Sequence, residues 1–177
     1  HVVVGSRGVG KSFWTSALQS VPLRKLLGAA ASELQDIEVR VGFASNEAID
    51  RYPNADVFSA FIDQGGDPYN MWRAVVLRWV AERAGKVVPD GRWTDTAAWL
   101  KSEPEAAAQL MQQPRDWKGL LLFDALDRTS DDWQRMDAIV KGLLRAVLWL
   151  KTFPGLHAKV FLREDQAERK VFDFPDA

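Results

Sequence analysis

The chain has 177 residues and carries 23 basic against 24 acidic side chains, so no overall field steers it toward nucleic acid or an anionic membrane surface. A hydrophobic content of 47% suits one packed globular domain rather than a disordered chain. Cysteine is absent, which excludes disulfides and thiolate metal sites and suits a cytoplasmic location, and no apolar run reaches the ~18 residues that cross a bilayer.

The first element is a short apolar run, Val2-Val3-Val4, which reads as a buried strand. Gly5-Ser6-Arg7-Gly8-Val9-Gly10-Lys11-Ser12 comes next and fits the spacing G-x-x-x-x-G-K-[ST]. A helix then begins through Phe13 and Trp14. Strand, glycine loop and helix form the context in which this pattern cradles phosphate. Glycines let the backbone approach the phosphates without a Cβ clash, and successive N–H groups make an anion nest at a positive helix end. Lys11 is expected to bridge the outer phosphates of ATP, and the Ser12 hydroxyl to hold Mg²⁺. The candidate nucleotide-binding set is Gly5, Ser6, Arg7, Gly8, Val9, Gly10, Lys11, Ser12 and Phe13, with Arg7 either reaching phosphate or facing solvent. The alternative is an ordinary glycine-rich turn between a strand and a helix.

The first helix is expected from Lys11 to Ser20, ended by Pro22, with a short helical piece over Leu23 to Leu27 and a loop over Gly28 to Ser32. Ile37 to Phe43 alternates apolar and polar residues, as a strand near a sheet edge does. Residues Asn46 to Pro68 read as irregular. Tyr69 to Ala84 reads as a helix with Trp72, Val75, Val76, Trp79 and Val80 on one stripe and Arg73, Arg78 and Glu82 off it. Thr94 or Asp95 is expected to cap a short helix through Leu100. Ser102-Glu103-Pro104-Glu105 reads as a capping box opening another helix to about Gln112. Gly119 to Phe123 is wholly apolar, as a central parallel strand is. Ser130-Asp131-Asp132 caps the longest helix, expected to Lys151 with Trp133, Met136, Val140, Leu143, Val147 and Leu150 on its buried stripe. Lys159 to Leu162 supplies a fourth strand. Strands alternating with helices give an α/β fold with a mainly parallel sheet.

Asp124 comes directly after the apolar strand. A carboxylate at the carboxyl end of a central strand lies beside a phosphate loop, where it can orient water on Mg²⁺; the alternative is a turn residue that caps the segment after it. The segment Asp124-Ala125-Leu126-Asp127-Arg128 resembles the signal-transduction ATPases with numerous domains, the STAND class, and its Leu-Asp-Arg ending is similar to the KAP-type ATPases. The chain departs from them at Ala125, where the KAP pattern has an acid, and at Arg128, where the STAND pattern often has one; both departures bear on hydrolysis more than on binding. The resemblance implies that Asp127 polarises the attacking water and that Arg163, at the end of the fourth strand, senses the γ-phosphate. The residues alone also allow Asp127 to pair with an arginine and Arg163 to pair with Glu164 or Asp165. Arg128, Arg135 and Arg169 are either fingers reaching a neighbouring subunit or solvated charges.

The candidate catalytic residues are therefore Lys11, Asp127 and Arg163, and the metal residues Ser12 and Asp124. The resemblance implies a three-layer P-loop NTPase core with strand order (5)-1-4-3-2. Four strands are visible, so the fifth strand, the lid and other domains are expected to lie outside this piece. His1 and His157 suggest no further metal site. Trp72, Trp79, Trp133 and Trp149 are expected in the core, and Trp93, Trp99 and Trp117 either pack or stack on a base or partner. No guanine-recognition motif and no L-S-G-G-Q signature occurs, against a GTPase and an ABC subunit. Three readings remain: an ATPase core of a STAND or AAA-like machine, self-assembling through that core; an ATP-binding switch or scaffold with little turnover; and a small-molecule kinase. A nucleic-acid partner is left open, and no membrane partner is expected.

Overall fold

A computed structural model gives the fold over residues 1–6, 10–28, 34–46, 48–112 and 116–168. Arg7, Gly8 and Val9 of the glycine loop, most of the expected loop over Gly28 to Ser32, and Arg169 fall outside these described residues. Four strands, β1 (Val2–Val4), β2 (Glu38–Phe43), β3 (Gly119–Phe123) and β4 (Leu156–Leu162), form one sheet in the order β1-β4-β3-β2. Every pairing is parallel, with Val2 opposite Val160, Leu121 opposite Ala158 and Val39 opposite Leu120. This is the order expected for strands one to four, with β2 at an edge.

Helices cover both faces, as a parallel sheet requires. Alternate residues of β3 divide between them. Leu120 and Leu122 join Leu18 of α1 (Lys11–Gln19) and Ile37 in a small cluster, and α2 (Val21–Leu27) follows α1 on that side. Leu121 and Phe123 belong to the larger core, built around α4 (Pro68–Ala84) and α7 (Trp133–Leu150). The result is a three-layer α/β fold.

The middle of the chain is organised by α4, which is buried all round: ten of its residues are buried, including Ala74, Leu77 and Ala81 beyond the expected stripe. It packs against α3 (Ala55–Asp63), α5 (Trp93–Ser102), α6 (Pro104–Met111) and α7. Trp72 is fully buried with its ring edge-on to Phe43 and Phe123 and tilted on Phe58. Its indole N–H donates to the Ile139 carbonyl at 2.8 Å, so the large apolar burial leaves no orphaned donor. Burying each of Phe58 and Phe123 contributes about 2–3 kcal/mol.

Several expectations are corrected. The Asn46 to Pro68 stretch holds a helix, α3, whose N-cap Asn54 accepts from Val57 N at 3.0 Å. The capping position of α5 is Arg92, one turn before the carboxylate of Asp95 that accepts from its N–H at 3.1 Å, rather than Thr94 or Asp95. Glu103 stands at the cap of α6 without a side-chain bond, so no capping box forms there. Trp133, expected in the core, is 42% exposed at the first turn of α7, whereas Met136 three residues on is buried. Arg73 and Arg78, off the stripe, lie over aromatic rings: Arg73 over Trp149 at 4.7 Å and Arg78 over Trp93 at 3.8 Å. Burial lowers the Arg78 guanidinium from its usual range. Trp93 and Trp117 are buried in packing rather than offered to a partner.

Candidate phosphate site

Because all four strands run the same way, their carboxyl ends share one edge of the sheet. The loop after β1, Asp124 after β3 and Arg163 after β4 emerge there side by side, the position where ligands bind in open α/β sheets. A cavity of about 360 Å³ opens at this edge, lined by Gly10, Lys11, Ser12, Phe13, Ser45, Asp124 to Arg128, Phe161, Arg163 and Gln166. That volume falls within the range of small-molecule sites.

Gly10 caps α1 with φ of 84°, a left-handed conformation that an L side chain adopts only with strain. Lys11 is the first helical residue. Its ammonium turns back and donates to the carbonyls of Gly5 and Ser6, both at 2.6 Å. Ser12 and Phe13 are exposed on the cavity lining. One helical turn beyond Lys11, the buried Thr15 hydroxyl lies 3.2 Å from Asp124 Oδ2 and 3.3 Å from the Lys11 carbonyl.

Asp124 is 7% exposed. Its N–H donates to Phe43 O at 3.0 Å, which ties the end of β3 to the end of β2. Its Oδ1 accepts from Ala125 N at 2.8 Å. Ala125 itself is left-handed, with φ of 54°, among the described residues the one non-glycine with positive φ. This turn leads into a 3-10 segment, Leu126–Arg128, that brings Asp127 back over the sheet edge.

Asp127 and Arg163 meet. The Arg163 guanidinium donates to Asp127 Oδ2 at 3.1 Å and grips Asp165 through two bonds, at 3.0 and 2.7 Å. The hydrogen bond to Asp165 raises the guanidinium above its usual range, partial burial opposes this, and Asp127 adds to the rise. Arg163 opens α8 (Glu164–Glu168), and its N–H donates to Gln166 Oε1 at 3.2 Å.

The structure thus gathers Gly10, Lys11, Ser12, Phe13, Asp124, Asp127 and Arg163 around one cavity. Gly5 and Ser6 join through their carbonyls on Lys11, while Arg7, Gly8 and Val9 are among the residues not described. Arg135 lies elsewhere, paired with Asp63 at 2.7 Å. Arg128 lines the cavity and donates to the Ser45 carbonyl at 3.3 Å. Thr15, Ser45 and Gln166 belong to no motif. Thr15 has a signal nonetheless, since position i+4 from Lys11 lies on the same face of α1.

Among the described residues no cluster of three or more His, Cys, Asp or Glu side chains suits a metal ion. Mg²⁺ at a phosphate site does not need one: a hydroxyl, a carboxylate, waters and phosphate oxygens complete its shell, and Ser12 and Asp124 share the cavity. Each oxygen of a carboxylate has two acceptor sites, so the bonds from Thr15 and Ala125 leave Asp124 able to accept from a metal-bound water. The donor set fits. Among the described residues, no helix is long and apolar enough to cross a membrane. Compared with protein-family models, with curated proteins and with solved structures, the chain matches none.

Proposed function

We propose that this chain is an ATP-binding and ATP-hydrolysing domain of the STAND or AAA-like P-loop class, which couples Mg-ATP turnover to conformational change or assembly in the cytoplasm. The observation that carries the reading is the link between Lys11 and Asp124. They are far apart in sequence, yet they line one cavity, and the Thr15 hydroxyl one turn along α1 lies within reach of both the Lys11 backbone carbonyl and the Asp124 carboxylate. A cation at a helix start and a buried carboxylate on the lining of one cavity at a parallel sheet edge are an arrangement that suits a metal-chelated polyphosphate.

On this reading Lys11 leaves the Gly5 and Ser6 carbonyls for the outer phosphates, which offer it full negative charge instead of two neutral acceptors. Ser12 and Asp124 hold Mg²⁺, which neutralises charge on the phosphate oxygens when bound. Asp127 orients water, and Arg163 pairs with the γ-phosphate. Catalysis then consists of positioning and charge stabilisation rather than covalent chemistry by the protein.

One observation favours a second reading, a nucleotide switch with little turnover. Asp127 is paired with Arg163, so its Oδ2 is engaged by a guanidinium rather than turned to an attacking water. Phosphate release from Mg-ATP separates the two. The ATPase reading expects steady release that Lys11→Ala abolishes. The switch reading expects nucleotide binding without release. Phosphate appearing on an added acceptor instead of in water means a kinase.

A further inference from the structure

The carboxylate at the end of β3 has a partner on α1 that no motif contains. Thr15 is 5% exposed, and its single hydroxyl proton has two acceptors within reach, Asp124 Oδ2 at 3.2 Å and the Lys11 carbonyl at 3.3 Å. Ser12, the residue the glycine-loop motif supplies for the metal, is exposed on the cavity lining. Ser12 and Thr15 therefore have different surroundings: the first faces the cavity, and the second is buried against the carboxylate.

We propose that Thr15 is the positioning residue for Asp124, fixing the plane of its carboxylate for Mg²⁺ by donating to Oδ2 while Ala125 N donates to Oδ1. This rests on the nucleotide-binding reading of the cavity. A carboxylate bonded on one oxygen alone can turn about its Cβ–Cγ axis, whereas one bonded on both oxygens is held in one plane. A buried carboxylate that loses a donor also loses the interaction that offsets its desolvation. Finally, partners that orient a ligand from behind typically govern metal affinity by about ten- to a hundred-fold.

The second acceptor matters in its own right. When metal-bound water donates to Asp124, the Thr15 proton can rotate to the Lys11 carbonyl, a bond that helical threonines commonly make, so the hydroxyl is not orphaned in either state. Valine at this position has the same shape and no proton to give. Serine keeps the proton and loses only a methyl group.

The test compares wild type, Thr15→Val and Thr15→Ser. Mn²⁺ affinity is read by electron paramagnetic resonance in the complex with a non-hydrolysable ATP analogue, and analogue affinity is read separately with metal removed by chelation. The expected result is Mn²⁺ binding weakened about ten-fold or more by Thr15→Val, metal-free nucleotide affinity within about two-fold of wild type, and Mn²⁺ binding restored by Thr15→Ser. Equal Mn²⁺ affinity in wild type and Thr15→Val overturns the proposal. So does an equal loss of metal and metal-free nucleotide binding. If Thr15→Val does not fold, Thr15→Ala in its place keeps the comparison, with Thr15→Ser as the hydroxyl-bearing control. A wild-type protein that binds no nucleotide with or without metal overturns the functional reading itself, and this proposal with it; wild-type binding that Thr15→Val leaves untouched overturns the role of Thr15 alone.

Discussion

Arg163 and Asp127 form an ion pair of 3.1 Å across the mouth of the cavity, and Asp165 holds the same guanidinium from its other side at 2.7 Å. All three side chains keep between 29% and 44% of their surface in solvent. Half-exposed pairs of this kind contribute about 1 kcal/mol or less each. A γ-phosphate offering bidentate, charge-assisted bonds can therefore draw Arg163 away and free Asp127 in one step. Asp165→Asn loosens the grip without touching the cavity lining, and ATP affinity is expected to rise about two- to five-fold in displacement of a fluorescent analogue. A fall in affinity would show that Asp165 aids binding instead.

On the proposed reading, Arg163→Gln removes both the partner that engages Asp127 and the group that would stabilise charge on the γ-phosphate. The second effect is the larger, because a preorganised donor at a reacting group is worth about a hundred-fold or more in rate and the ion pair only a few-fold. Phosphate release is expected to drop about a hundred-fold while ATP binding changes far less. Faster release in this variant would assign Arg163 a purely restraining role.

Asp124→Ala is expected to lower Mg-dependent turnover by about a hundred-fold or more while metal-free nucleotide binding stays within a few-fold. Circular dichroism and a melting curve check that the variant is folded, since the Asp124 carboxylate also accepts from Ala125 N and from the buried Thr15 hydroxyl. Parallel loss of binding and turnover in a folded protein would take Asp124 out of the metal role.

Gly142 lies where α7 meets the start of α4. A Cβ there would stand 2.7 Å from Tyr69 N and 2.9 Å from the Pro68 carbonyl carbon, both backbone atoms that cannot turn aside. Alanine gains about 1 kcal/mol of helix propensity over glycine, but forcing two buried helices apart costs about 1–3 kcal/mol. Gly142→Ala is expected to lower the melting temperature by a few degrees. An unchanged or higher melting temperature would mean that the helices separate freely.

Ala125 carries its left-handed conformation with a Cβ, at about 1 kcal/mol relative to glycine. Ala125→Gly is expected to leave the turn intact and raise stability by about 0.5–1 kcal/mol in denaturant unfolding. Destabilisation would show that the methyl group is held by packing rather than merely tolerated.

Much of the sheet is legible in the sequence, because β3 is an unbroken apolar run and β2 alternates with period two. The long helix α7 is legible for the same kind of reason, a 3.6-residue period over five turns, whereas α4 is legible as a helix but its burial all round exceeds the one stripe read from it. The elements that escape are short or depend on tertiary context. In α3, Val57, Phe58, Phe61 and Ile62 span only two turns between turn-forming residues, too few repeats to stand out. Trp133 fits the stripe of α7 by spacing, yet it stays 42% exposed, since spacing alone does not say how deeply the end of a stripe is covered. The site shows the same division. Lys11 and Asp124 announce themselves by motif and strand end, whereas Thr15 becomes visible only once α1 is placed against β3. The pairing of Asp127 with Arg163 needs the 3-10 turn after Asp124, which the sequence does not signal.

The central claim is that the edge cavity holds a metal-bound triphosphate. Its most direct test is a structure of the protein with Mg²⁺ and a non-hydrolysable ATP analogue. The expected result is the β- and γ-phosphates against Lys11, with its ammonium withdrawn from the Gly5 and Ser6 carbonyls, and a metal ion between Ser12 and Asp124. An analogue bound elsewhere, or a Lys11 still closed on those two carbonyls beside a bound nucleotide, would contradict it.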